Sequence, residues 1–72
     1  MAIETFTFPG SSNLAGGSYD DETQELTIEF RSGDEYAYRN VPQGIVAGLR
    51  GAGSPGQYFH RQIRSRFGGT RI

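Results

Sequence analysis

Few side chains in this sequence are able to do chemistry. There is one histidine, His60, no cysteine and no lysine, with eight carboxylates and seven arginines. Without cysteine, disulfides, thiolate nucleophiles and cysteine-based zinc sites are all excluded. From Tyr36 to the C-terminus the chain contains no acid, so nothing near His60 in sequence can orient it as a nucleophilic triad requires. Only an acid from the first half could reach it. The ordinary reading is a helix-surface histidine, and the sequence points away from an enzyme. Asp20, Asp21, Glu22 and Glu25 crowd together but lack calcium-loop spacing, and read as a solvated acidic turn. The glycines at Gly16-Gly17 and from Gly51 to Gly56 complete no phosphate-loop signature, since no lysine follows them. Neither a metal nor a cofactor is expected.

What the inventory does favour is anion binding. Guanidinium forks suit bidentate phosphate contacts and stacking on rings better than ammonium groups do. A GC-rich genome would give the same arginine-only usage, and the eleven glycines fit that explanation too. Counted by position, eight acids and one base precede Tyr36, while six bases and no acid follow from it, so the halves carry −7 and +6. The formal net charge of −1 is therefore a cancellation. Arg39, Arg61 and Arg64 are the candidate phosphate contacts. Ser54 and Gly56 add a candidate anion site where a helix begins. Tyr36, Tyr38 and Tyr58 are candidate base-stacking rings, and His60 a candidate polar contact. Each has a plainer alternative: Ser54 as a helix cap, the tyrosines as core, the arginines as partners of sheet acids in surface pairs worth about 0 to 1 kcal/mol each.

These residues need elements to position them. Leu26 to Arg31 alternates with period two, placing Leu26, Ile28 and Phe30 on one face, and Glu35 to Arg39 repeats the pattern with Tyr36 and Tyr38. For Phe30 and Tyr36 to face one core, paired positions must sum to an even number. A three-residue loop with Gly33 near the left-handed region satisfies this, so an odd loop or a bulge is expected there. Ala15 to Tyr19 pairs with the Leu26 strand through the turn Asp20 to Gln24, and Ile3 to Phe8 supplies a further edge strand. In the second half, Ile45, Val46 and Leu49 share a helix face after Pro42. Ser54-Pro55-Gly56-Gln57 reads as a capping box opening a last helix whose stripe is Phe59, Ile63 and Phe67, with Tyr58 beside Arg61 on its solvent side. The expected fold is α+β: an antiparallel meander of three to four strands followed by two helices packed on one face. Residues 1–10 form an N-terminal edge strand or arm, 11–68 the domain, and 69–72, with Arg71, a flexible tail.

At 72 residues this is one domain. A chain of that size buries only roughly 60% of the surface its unfolded form exposes, so the core is small and self-association between copies would help it. No apolar run approaches the length of a signal core or a membrane span, and the expected setting is the cytoplasm.

Gly33-Asp34-Glu35-Tyr36-Ala37-Tyr38, Asn40-Val41-Pro42, Ala52 to Phe59 and Ile63-Arg64, preceded by Ser11-Ser12-Asn13-Leu14 and Tyr19-Asp20, resemble the KTSC domain. That domain is named after the C-terminus of some lysyl-tRNA synthetases and also occurs as small free-standing bacterial and phage proteins. The resemblance runs from about Ser11 to Phe67. It departs from the family pattern at Ile45-Val46, which replace an aromatic-containing pair, and at His60, where asparagine is frequent. The resemblance implies no established activity, although association with synthetases suggests RNA. The expectation is a non-catalytic binding module for a phosphate-bearing ligand, RNA or a nucleotide. The alternatives are a phage-type protein, working in the host cytoplasm, that sequesters a small signalling nucleotide, and a protein-interaction module.

Overall fold

The alternation of Leu26, Ile28 and Phe30 makes strand β3 the centre of the sheet. A computed structural model of the chain describes residues 3–72; the first two residues of the expected N-terminal arm lie outside them. Strands β1 (Ile3–Thr7), β2 (Leu14–Asp20), β3 (Glu25–Phe30) and β4 (Glu35–Tyr38) precede helix α1 (Gln43–Gly51). Helix α2 (Pro55–Tyr58) then continues directly into a π-helical segment (Phe59–Arg64), and β5 (Gly69–Arg71) closes the chain. The sheet is an antiparallel meander in the order β1-β2-β3-β4-β5.

The register follows from the need to keep one face apolar. Leu26 pairs with Tyr38 and Ile28 with Tyr36, both even sums, and the Phe30 N–H donates to the Asp34 carbonyl at 2.9 Å. Residues 31–33 are thus the three-residue loop, with Gly33 at φ 98°. Leu14, Tyr19, Leu26, Ile28 and Tyr38 from the sheet pack with Val41, Val46, Leu49, Phe59 and Ile63. No polar or charged residue is buried among the described residues, and the hydroxyl of Tyr19 donates to the Val41 carbonyl at 2.6 Å. Each fully buried aliphatic or aromatic side chain contributes about 1.5 to 3 kcal/mol, so this short roster carries most of the stability. Helix α1 is tied to β1 by Arg50, which pairs with Glu4 at 3.2 Å and lies 5.3 Å from the Phe6 ring centre.

Five expectations are corrected. Among the described residues the sheet has five strands, not three or four. The supposed flexible tail, residues 69–72, supplies the fifth: Gly69 pairs with Tyr38 and Arg71 with Tyr36, because Gly69 alone leaves room for the Tyr38 ring, which a Cβ there would strike. The last helix is α-helical for a single turn before its hydrogen bonding widens, and Ser54 makes no side-chain cap bond. Tyr58 does not stand in solvent beside Arg61. Its ring lies against Gly48, where any Cβ would collide with it, and its hydroxyl donates to the Ile45 carbonyl at 3.0 Å. Gly48 is therefore the contact that sets how closely α1 and α2 approach.

Candidate functional site

Beyond the end of β1 the chain makes a loop, residues 8–13, whose shape is fixed by polar contacts. Buried Phe8 anchors it. The Ser11 hydroxyl accepts from the N–H groups of Asn13 (3.3 Å) and Leu14 (3.1 Å). Arg31, the only base in the acidic half, donates from Nε to the Ser11 carbonyl (3.1 Å) and from Nη2 to the Phe8 carbonyl (2.8 Å). Its fork is thus committed to the backbone of this loop. Gly56 faces this loop, with Asn13 and Ser11 as the nearest groups to its missing side chain.

Between loop, sheet end and helical segment lie two adjoining pockets that share lining residues, described together as one cleft with two lobes. One, about 530 Å³, is walled by Phe30, Tyr36, Tyr38 and Phe59 and edged by Asp34, His60 and Arg64. The other, about 580 Å³, is polar, bounded by Ser11, Ser12, Ser54, Gln57 and Arg61. Ser12, Asn13, Gly56 and His60 line both. The aromatic wall is an edge-to-face cluster: Phe30 meets Tyr36 at 5.7 Å and Phe59 at 5.4 Å, and Phe59 meets Tyr38 at 5.5 Å. Such contacts fix the rings in place, at about 0.5 to 1.5 kcal/mol each.

Charge pairing sorts the arginines. Arg39 lies 3.9 Å from Glu25, and Arg71 bonds Asp34 at 2.9 Å. Arg66 donates to the Gln62 side chain at 3.2 Å. Among the described residues, Arg61 and Arg64 make no ion pair, and both border the cleft. The field of Arg64 reaches the wall. Burial pushes the Tyr38 hydroxyl above its ordinary range, Arg64 pulls it partly back, and Tyr36 adds to the rise. Tyr38 is therefore a neutral phenol at physiological pH.

Of the residues singled out in the sequence, Tyr36, Tyr38, Ser54, Gly56, His60, Arg61 and Arg64 converge on this cleft. Tyr38 is only 4% exposed, so it is wall rather than platform, while half-buried Tyr36 presents a surface. Arg39, paired with Glu25, and Tyr58, wedged between helices, do not line it. With a single α-helical turn after Ser54, the helix dipole at this end of the cleft is small, and the positive charge bordering it comes from the side chains of Arg61 and Arg64. Ser12, Asn13, Phe30 and Asp34 were not foreseen as cleft residues. The polar run Ser11-Ser12-Asn13 was the available signal, but no spacing rule says which sheet end it will cover. Among the described residues no three His, Cys, Asp or Glu groups gather to hold a metal, and no helix is long and apolar enough to cross a membrane.

Comparison with known proteins matches residues 10–67 to the model of the KTSC domain. A lysine–tRNA ligase of Nostoc punctiforme is 42% identical over 59 residues, 82% of this chain, and one from Trichormus variabilis matches to the same extent. The chain spans about a tenth of the length of these ligases. An uncharacterized protein of Stutzerimonas stutzeri is 43% identical over 54 residues, covering 75% of this chain and 76% of that one. The crystal structure of a KTSC domain protein from Yersinia pestis superposes with a TM-score of 0.89 over 99% of both chains at 28% identity.

Proposed function

For this chain, which belongs to the KTSC domain family, we propose a non-catalytic role as a binding module for a phosphate-bearing ligand, a nucleotide or the exposed end of an RNA. One observation carries the reading: Arg61 and Arg64, without carboxylate partners among the described residues, flank a cleft whose other wall is aromatic. Guanidinium groups supply charge-assisted bonds to phosphate, and a ring face such as that of Tyr36 supplies stacking worth about 1 to 3 kcal/mol per base. The lysine–tRNA ligases that share this segment act, by name, on a tRNA, which supports RNA among the ligands.

The shape favours one nucleotide unit over a long backbone track. An extended track needs a continuous basic surface, whereas here the opposite sheet face carries Glu25, Glu29 and Glu35. The test is titration of nucleoside monophosphates and short single-stranded RNA at rising salt. A single-unit site gives a shallow slope of log affinity against log salt, with short RNA and mononucleotide alike. A slope corresponding to many released counterions would point to an extended track instead. Absence of binding by either probe at low salt would remove the proposal.

A further inference from the structure

Among the described residues one carboxylate lines the cleft, and its placement bears on which base the site takes. Asp34 sits where the β3–β4 loop ends, at the rim of the aromatic lobe beside Phe30 and Tyr36. Both of its oxygens are already oriented: Oδ1 accepts from Arg71 Nη2 at 2.9 Å, and Oδ2 accepts from the Ser32 hydroxyl at 3.4 Å. A carboxylate oxygen has two lone-pair sites, so each retains one for a ligand. The side chain is 42% exposed, which leaves those sites reachable.

An unpaired acid would oppose an anionic ligand. Here Arg71 supplies a compensating charge, so Asp34 can act as a pair of hydrogen-bond acceptors without setting a bare negative charge beside a phosphate. The pair exists only because β5 returns along β4 and places Arg71 opposite Tyr36. The last strand thus has a use beyond closing the sheet edge.

Two acceptors side by side suit a particular base edge. Guanine presents two adjacent donors, the ring N1–H and the exocyclic amino group. Adenine and cytosine each present an amino group next to a ring acceptor, and uracil an N–H between two carbonyls. Against a carboxylate, each of those alternatives leaves an acceptor facing an acceptor. Reading a base by its Watson–Crick edge while an aromatic side chain stacks on its face is a recurrent solution in nucleotide pockets. Resting on the nucleotide-binding reading above, we propose that Asp34 makes the cleft selective for guanine, with the base on Tyr36 and Phe30 and the phosphate toward Arg64 and His60.

The experiment is calorimetric titration of the whole chain with GMP, AMP, CMP, UMP and ribose 5-phosphate. GMP is expected to bind at least about tenfold tighter than AMP, the discrimination that one bidentate contact provides. In Asp34→Asn, which swaps one acceptor for a donor, that ratio should fall to within about twofold. Arg71→Gln keeps Asp34 but removes the compensating charge, and should weaken GMP and AMP together with their ratio intact. Equal affinity for GMP and AMP, with both lost in Arg64→Ala, would overturn the guanine assignment and leave the phosphate site standing. No binding by any of the five would overturn both.

Discussion

The two faces of this molecule treat like charge in opposite ways. On the outer face of the sheet, Glu29 stands directly across from Glu35, with Asp20 and Glu25 paired nearby. On the cleft side, among the described residues, Arg61 and Arg64 make no ion pair, and the one carboxylate at the rim, Asp34, is matched by Arg71. Opposite charges meet in the pairs Arg39–Glu25, Arg50–Glu4 and Arg71–Asp34, while Glu29 and Glu35 face each other on one side of the sheet and Arg61 and Arg64 border the cleft on the other. The cross-strand glutamates are a cost the sheet bears, and the paired Asp34 shows that an acid near the cleft is compensated. The difference leaves the guanidinium groups of Arg61 and Arg64 without carboxylate partners among the described residues, which is the feature the proposed ligand site rests on.

The largest effect on this arrangement should come from the helix packing that holds the positive pole in place. Gly48→Ala puts a methyl group into the Tyr58 ring just upstream of His60, Arg61 and Arg64. A loss of about 1 to 3 kcal/mol in chemical denaturation is expected. Unchanged stability would mean that Tyr58 yields and that the α1–α2 approach does not set the cleft.

Alkaline pH comes next. Burial raises the Tyr38 and Tyr19 hydroxyls, Tyr19 also through Asp21 and Asp20. The folded state therefore holds these protons more tightly than the unfolded chain does. The associated stability is fully present below the unfolded value of about 10 and is lost as pH rises through the folded values. Thermal melts should be flat with respect to these groups from pH 7 to 9 and fall above about pH 10. Tyr38→Phe, which keeps the ring, should reduce that fall. A fall of the same size in the variant would remove Tyr38 from the account.

The smallest effect belongs to the outer face. Glu35→Gln relieves the repulsion from Glu29 and should stabilise the sheet by about 0.2 to 1 kcal/mol, leaving nucleotide affinity within about twofold. A larger change in affinity would show that the acidic face communicates with the cleft.

How far the sequence reveals this architecture depends on how local each determinant is. The alternation of Leu26, Ile28 and Phe30 and the parity of the Phe30–Tyr36 relation need only neighbours, and both appear in the structure with the expected three-residue loop. The fifth strand does not announce itself. Gly69-Thr70-Arg71 has no apolar alternation, and its pairing depends on Tyr38, some thirty residues earlier, finding space over Gly69. The widened helix after Tyr58 is likewise invisible, because the stripe Phe59-Ile63 suits either winding. Among the residues lining the cleft, Arg61, Arg64 and Tyr36 were legible as candidates from residue type. The role of Arg31 was not: a lone base among acids looks like a salt-bridge partner, and only the fold shows it spending its fork on the carbonyls of Phe8 and Ser11.

The distinction between the two faces is tested most directly by mapping amide chemical shifts while a nucleoside monophosphate is added. Shifts are expected to concentrate at Ser12, Asn13, Tyr36, Gly56, His60 and Arg64, and to vanish in Arg61→Ala/Arg64→Ala, while Thr27, Glu29 and Ala37 stay still. Perturbation centred on the outer sheet face, or persisting undiminished in the double variant, would contradict the assignment of the cleft as the ligand site.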